Sequence, residues 1–459
     1  DVSSLKGLYG TFSSKLPTVW ISNAYTNDGV RIAAYNSANA PAGCDPTTGV
    51  TGTLPACVGT AIQNAPLTDA VINFIAPSFE WPETKTLNLT YDRQMGDWLM
   101  TATYLHSDQE EALYKIIDGS PLIGDQPQVP TLKAPDGRPI YNQTGRNTYK
   151  GGLYNQGGGE REVISIAFSR YFNDGDGAFT IGYTNQDINE LNGMGSSTAN
   201  SAYGKYPASD YNNRTAGRSI YETEHRLFAT MSSTHYFFGA DKPTTFNLYF
   251  ERKSGLPGTF SWDTYTSRNY GGTAYQQQAF GYEKNMNDDS SHLIYVPTGL
   301  TDPNVCWGSC GGAPDLAIAN QVLDMLHNQL GLAAYAGQIV PPGAYEYPWQ
   351  TSLDLKITQI LPGFRAEDEF VISLGIENLL NLIDSDKGEA RYGPYNGKQA
   401  VLDMFMNDDF SKYIYPNYKG RGYPDWAYGF NQSNPKGIRK SAVNSIWRAQ
   451  LGFTYKFSF

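Results

Sequence analysis

No run of eighteen apolar residues occurs in the chain, and mean hydropathy is negative, which argues against a transmembrane helix. Charge is scarce, at 17 % of residues, and the net charge of −11 speaks against nucleic acid as a partner. There is no G-x-S-x-G elbow, no phosphate-cradling loop and no dinucleotide fingerprint. The five histidines, His106, His225, His235, His292 and His327, are scattered. His106 and Asp108 lie near one strand end, but no second acidic pair joins them into a protease-like constellation. The chain is therefore expected to be no enzyme, with no catalytic residue and no cofactor. It opens on Asp1-Val2-Ser3-Ser4 without a charged and then apolar leader, so either a leader was removed or the chain is an internal piece of a longer polypeptide.

Cysteine is also rare. Cys44 and Cys57 form one local pair and Cys306 and Cys310 another, each in Gly/Pro-rich sequence outside any strand pattern. Two disulfides pinning surface loops are the natural reading, and they imply an oxidising compartment. A zinc site is the rival, but it needs convergent His or further Cys, and neither is close in sequence.

What the chain has in quantity is aromatics, with 33 Tyr, 21 Phe and 8 Trp, and alternation. From Trp447 the odd positions read Trp447, Ala449, Leu451, Phe453, Tyr455, Phe457, Phe459. The even positions read Arg448, Gln450, Gly452, Thr454, Lys456, Ser458. One face of this strand is apolar and the other polar. Its length suits a tilted strand crossing a bilayer better than a soluble strand. The same alternation recurs at Leu87–Tyr91, Ile164–Phe168, Phe179–Tyr183, Phe246–Phe250, Leu353–Ile357 and Phe370–Ile376. Nine strands are clear, and a weaker tenth lies near Leu8, Gly10 and Phe12.

The connections alternate in length. Short turns fall at Met95-Gly96-Asp97, at 173–177, at 238–242 and at 361–364, with Gly and Asp for the positive-φ positions of hairpins. Long loops lie near 15–83, 108–160, 190–221, 255–345 and 380–443. Tight periplasmic turns and long extracellular loops are the layout of an outer-membrane barrel. Inside one loop, Leu316, Ala319, Val322, Leu323, Leu326 and Leu330 fall at helical spacing between Pro314-Asp315 and Gly331, which predicts a short helix packed on the loop's own core.

From about residue 160 onward the sequence resembles Oar-like TonB-dependent receptors. The resemblance rests on Tyr183-Thr184-Asn185, Ser197-Thr198-Ala199-Asn200 and Glu224-His225-Arg226. It continues through Lys253-Ser254-Gly255-Leu256-Pro257, Leu293-Ile294-Tyr295-Val296-Pro297 and Gly337-Gln338-Ile339-Val340-Pro341. Pro348-Trp349-Gln350 before Leu353-Asp354-Leu355 and the run Glu377-Asn378-Leu379-Leu380-Asn381-Leu382 complete it. Such receptors are 22-stranded antiparallel transmembrane β-barrels with an N-terminal plug. The resemblance implies that residues 1–459 are the C-terminal part of such a barrel, about its last ten strands, with the plug and first strands outside the chain. It implies a cell outer-membrane location and contact with the TonB complex through an N-terminal part absent here. Uptake of a peptide, oligosaccharide or metal chelate follows as the expected function. The alternatives are a structural or adhesive surface protein, and protein or peptide export.

Gln450, Gly452, Tyr455, Phe457 and Phe459 match an outer-membrane assembly signal, with the barrel-assembly machinery as partner and outer-membrane lipid and lipopolysaccharide as surroundings. Trp98, Tyr104, Tyr171 and Trp447 are candidates for interfacial aromatic girdles. The loop aromatics Tyr265, Tyr270, Tyr275, Trp307, Tyr345 and Tyr347 are candidate ligand contacts, with packing of the loops on themselves as the competing reading. Asn287-Asp288-Asp289 and Asn407-Asp408-Asp409 offer oxygens to calcium but lack the full loop pattern, and solvated turns are the expected reading.

Overall fold

The computed structural model describes residues 2–13, 16, 18–26, 44, 57–60, 72–116, 132–140, 150–191, 198–203, 206–263, 292–365, 367–394, 397–407, 409–415, 434 and 436–457. The fold is mostly antiparallel sheet. Its main strands are β1 (Ser3–Ser13), β2 (Glu83–Met95), β3 (Trp98–Ile116), β4 (Lys150–Phe172) and β5 (Gly177–Glu190). They continue as β6 (His225–His235), β7 (Thr244–Lys253), β8 (Gln350–Pro362), β9 (Glu369–Glu377) and β10 (Arg448–Lys456). These ten run up and down in sequence order, each paired with the strand before and after it. β1 and β10 are the two edges, so the sheet is open.

The turns have the chemistry expected of them. Gly96, at φ 58, is the first central residue of the two-residue β2–β3 hairpin, where a II′ turn requires glycine. Asn173 and Asp174, both at φ 52, and Gly175, at φ 102, turn β4 into β5. The short connections all lie at one end of the sheet and the long ones at the other, because the strands simply alternate in direction.

Directly opposed residues in an antiparallel ladder share a face. Following the pairs, Met100, Phe168, Ile181, Ala229, Phe250 and Leu353 form one row on one face. Leu248, Leu355, Ile376 and Ala449 belong to the next row, and Ile357, Leu374 and Leu451 to the one after. The opposite face carries Thr103, Ser165, Thr184, Arg226, Lys253 and their neighbours. Among the described residues nothing covers much of the apolar face. Ile164, Met231, Leu451 and Phe453 keep 48 %, 44 %, 59 % and 61 % of their surface, where a soluble core would leave almost none.

The weaker tenth strand expected near Leu8, Gly10 and Phe12 forms as β1. Leu8, Gly10 and Phe12 pair with Asn88, Thr86 and Thr84, on the polar face. Leu5, Gly7 and Tyr9, opposite Tyr91, Leu89 and Leu87, extend the apolar one.

The apolar stretch does not follow one row. Leu89, central to it on β2, lies in the row of His225 through Tyr104, Ile164 and Asn185. Phe453, central to it on β10, lies in the row of His235 through Ile372, Gln359 and Thr244. From His225 to His235 is a slip of ten residues along β6, accumulated over the eight strand steps from β2 to β10. At about 3.3 Å per residue and about 4.8 Å per strand this is a band inclined at roughly 40° to the strand normal. Membrane barrels tilt their strands by about this angle.

The buried cores lie among the long loops. β3 and β4, at 19 and 23 residues, run beyond the other strands past a bulge at Gln109/Glu110. Their tips pack Ala112, Tyr114 and Leu153 against Trp20, Tyr203 and Tyr211. A second cluster joins Ala134, Ile140, Trp262, Ile294, Leu326, Val401 and Tyr413, from three different loops. Residues 259–263 pair in parallel with 398–403, and 305–307 with 413–415, which staples the β7–β8 and β9–β10 loops together.

The expected loop helix forms as α1, Leu316–Leu323, with the Asp315 side chain accepting from the Ala317 and Ile318 amides. It continues as a π-helical turn, Asp324–Gln329, and stops before Gly331 at φ 75. Ala319, Met325, Leu326 and Leu330 are buried in the second loop core, so the helix serves its own loop.

Candidate functional site

The polar face of β5–β10 forms a groove. It comprises two adjoining cavities of about 270 and 650 Å³ that share Asp354 and Glu377. The smaller lies toward the long-loop end, between Glu251, Lys253, Asp354, Glu377, Glu389 and Arg448. The larger lies between Thr230, Asn247, Tyr249, Lys356, Ser373 and Gln450.

Alternation places these side chains, and pairing neutralises them. Glu251 receives Arg226 Nε at 2.7 Å and Lys253 Nζ at 3.1 Å. Arg448 holds Glu377 across the β9–β10 ladder. Lys440 and Arg391 both hydrogen-bond Glu389, which holds its carboxyl below the ordinary range. Asp354 Oδ1 accepts the Asn378 amide at 2.8 Å. Asn378 sits in the left-handed region, at φ 55 and ψ 53, and its side chain donates to the Gly388 carbonyl. The run Glu377-Asn378-Leu379 thus has a local reason: strand end, left-handed hinge, then the short helix Leu379–Ile383. The wall offers alternating donors and acceptors at near-balanced charge, which suits a hydrophilic solute or a polar protein surface.

Above the groove, Arg218 bridges loops by reaching Glu222, Glu224 and Glu346. Deeper in the loop core, Arg138 and Asp136 form a buried ion pair, and Arg138 Nη1 donates to the Leu293 carbonyl at 2.8 Å. Its guanidinium lies 4.8 Å from the Trp262 ring centroid. Of these charges only Glu224 was quoted from the sequence, within the run Glu224-His225-Arg226 and with no partner assigned. The only trace of the others there was a polar residue at an alternating or Gly/Pro-rich position.

Of the loop aromatics, Trp307 and Tyr347 are buried, at 2 % and 3 % exposure, and belong to the packing of the loops. Trp307 stacks on Tyr415 at 5.5 Å. Tyr345 is half-buried against Phe260 and Tyr347, with Lys436 over its ring at 5.0 Å. Tyr265, Tyr270 and Tyr275 lie outside the described residues, as do Asn287-Asp288-Asp289, Asp408 and Phe459. Asn407 and Asp409 take the Lys412 and Ser411 amides in a turn. Among the described residues no group of three His, Cys, Asp or Glu side chains converges as a metal would need. Cys44 is bonded to Cys57 and Cys306 to Cys310, with Cα atoms 5.8 and 5.1 Å apart.

The residues of the expected assembly signal divide by face. Gln450 and Gly452 point to the polar side, opposite Gly375 and Ser373, and Tyr455 to the apolar side, opposite Phe370. Tyr455 Oη accepts the Phe364 amide at 2.8 Å and donates to Asp368 Oδ2 at 2.7 Å, tying β10 to the β8–β9 turn. Phe457 stays 65 % exposed. The two residues should therefore separate. Tyr455→Phe is expected to lower the heat-resistance of inserted protein by about 1 kcal/mol of lost hydrogen bonding, with normal insertion. Phe457→Ala is expected to lower the amount inserted per cell and leave heat-resistance intact. Gel heat-modifiability beside outer-membrane yield checks both, and a Phe457→Ala protein of normal yield but weakened heat-resistance would make Phe457 a structural ring only. Of the girdle candidates, Trp98 and Tyr104 lie on the apolar face, but Tyr171, opposite Ala178, lies on the polar one beside the turn.

The loop core carries a titration. His292 is buried beside Tyr211, with ring centroids 5.0 Å apart. Burial, then the nearby Arg138 and Lys398 charges, push its imidazole well below the ordinary range, while Asp136 works the other way. The unfolded loop takes up a proton as pH falls through about 6.5 and the folded loop does not. His292 thus favours the folded loops fully above about pH 7 and progressively less below. Glu222, pushed up by burial, opposes this at lower pH. Protection of the loop amides, corrected for the intrinsic exchange rate at each pH, should fall more from pH 7.5 to 5 in the wild type than in His292→Phe, with strand protection unchanged in both. Equal pH slopes would remove His292 from the account.

No family model and no curated protein matches the chain.

Proposed function

We propose that this chain is the C-terminal wall of an outer-membrane TonB-dependent receptor that takes up a hydrophilic nutrient. The observation that carries the reading is the uncovered apolar band, inclined at the barrel angle across ten strands, with a polar, charge-paired groove on its other side. Such a sheet is stable where lipid covers one face and water or a plug the other. The free edges of β1 and β10 need further strands, because an unpaired edge in lipid leaves backbone groups without partners. The interlocked loops supply an external recognition surface. The groove's paired charges favour a peptide or oligosaccharide over an apolar ligand.

The test is growth of cells on single limiting nutrients, from short peptides to oligosaccharides and iron chelates, with the natural gene present or deleted. It is repeated after loss of TonB. Growth on one nutrient that needs both the gene and TonB supports uptake. Growth indifferent to the gene, with surface adhesion lost on its deletion, supports an anchor instead.

A further inference from the structure

Two segments of the sequence, Glu224-His225-Arg226 and Pro348-Trp349-Gln350, meet in space and turn His225 and Trp349 away from the groove. His225 stacks on Tyr183, with centroids 6.1 Å apart and planes at 22°, and on Trp349, at 5.8 Å and 20°. Arg252 Cζ lies 5.5 Å from the Trp349 ring centroid. Tyr183, Leu227, Arg252 and Thr351 are one row of the apolar face, and His225 lies on the same face one step nearer the long loops. The stack therefore sits at the loop-side rim of the apolar band, directly above Ile181, Ala229, Phe250 and Leu353.

Arg252 is exposed on this outward face, and no described carboxylate pairs with it. Its neighbours Arg226 and Lys253 turn to the polar face and share Glu251. The His225 ring is fixed: Nδ1 meets Tyr183 Oη at 2.8 Å and Asn185 Nδ2 at 3.2 Å, and Nε2 faces Glu224 Oε1 at 3.3 Å. Glu224 is itself taken by Arg218. On β3–β5 the same rim is acidic, with Asp108, Glu160, Glu162 and Asp187. An outward anion is therefore repelled from that sector and directed to β6–β8.

We propose that the Tyr183–His225–Trp349–Arg252 stack docks the phosphate of an outer-leaflet glycolipid such as lipopolysaccharide. This rests on the membrane reading above. A guanidinium over an indole still has N–H groups to offer to phosphate, which it can bind bidentately. Rings at this level occupy the headgroup zone. A single exposed arginine binds a free phosphate weakly in water. The acyl chains of the same molecule lie on the apolar band below, so the lipid is held at two places and inorganic phosphate at one.

The experiment uses the natural full-length protein in phosphatidylcholine nanodiscs, with native mass spectrometry counting bound bisphosphorylated lipid A. Arg252→Gln should lower occupancy about ten-fold, as loss of a charge-assisted contact would. Lys253→Gln, one residue away on the other face, should not change it. Lipid A stripped of phosphate should bind the wild type as weakly as the intact lipid binds Arg252→Gln. Unchanged occupancy in Arg252→Gln, an equal loss in Lys253→Gln, or full competition by millimolar inorganic phosphate would each overturn the proposal. Nitroxides at Leu451 and Gly452 in the same nanodiscs separate the two failures. Oxygen access at Leu451 alone keeps the membrane face while the phosphate site falls, and equal access at both positions removes the membrane face as well.

Discussion

On the outer-membrane reading proposed above, Leu355→Arg is expected to destabilise the inserted protein by about 2–4 kcal/mol, the cost of arginine facing lipid near the bilayer centre. Leu355 lies on β8, a central strand, with Leu248 on one side and Ile376 on the other. All three are on the apolar face and near the middle of the inclined band. An arginine there cannot reach a headgroup without dragging its neighbours. Lys356→Leu, one residue on, changes charge and size in the groove and should cost less than about 1 kcal/mol, since half-exposed charge away from lipid is worth little. Guanidinium unfolding of the full-length protein in phospholipid vesicles gives both numbers as midpoint shifts at constant slope. A soluble sandwich would also suffer from Leu355→Arg. A nitroxide at position 355 distinguishes the cases, because oxygen reaches it from lipid and not from a packed core. A nitroxide shielded from both oxygen and polar quenchers would place Leu355 in a protein core and sink the lipid-facing assignment.

The strands were legible because one rule writes them. Period-2 alternation specifies a two-sided sheet, and short turns with Gly or Asp specify which strands neighbour which. Trp447 to Phe457 reads this way residue by residue, and β10 bears it out from Arg448 to Lys456. β1 was legible as a strand but its faces were not, for a physical reason. Its apolar face carries Leu5, Gly7 and Tyr9 and its polar face Leu8, Gly10 and Phe12, so neither parity dominates, and only pairing with β2 chooses.

The loop cores were not legible. Trp262, Ile294, Val401 and Tyr413 come from segments far apart in sequence, joined by parallel pairing of 259–263 with 398–403. Non-local pairing leaves no period behind. Trp307 and Tyr347 looked like ligand contacts because a loop aromatic in isolation carries no mark of what covers it. The groove was half legible. Asp354 and Glu377 stood in the sequence as polar positions of an alternation and within quoted motifs, but their partners Asn378 and Arg448 are set by the pairing of other strands.

Trp262→Ala is expected to open the loop domain and leave the strand ladder standing. Trp262 is fully buried, between the Arg138 guanidinium at 4.8 Å and the Tyr413 ring at 4.8 Å. Truncating a buried tryptophan typically costs about 3–5 kcal/mol through lost burial and the cavity left behind. Here the loss goes further, because the ring also covers the buried Arg138–Asp136 pair. Water entering the cavity would reach the carbonyl contact to Leu293 that docks residues 132–140 on the β7–β8 loop. The ten-stranded sheet does not share this core, since every residue of the cluster lies beyond the strand ends or at their loop-side tips. Loop stability and barrel stability should therefore uncouple. Protease added to intact cells should cut Trp262→Ala in the loops at a concentration that spares the wild type, while its heat-modifiability on a gel stays normal. Trp262→Phe, which keeps a ring against Arg138, should fall between them. Loops as resistant as wild type would mean that the core tolerates the cavity. A barrel that no longer inserts would mean that loops and wall fold as one unit, against the separation of their two cores.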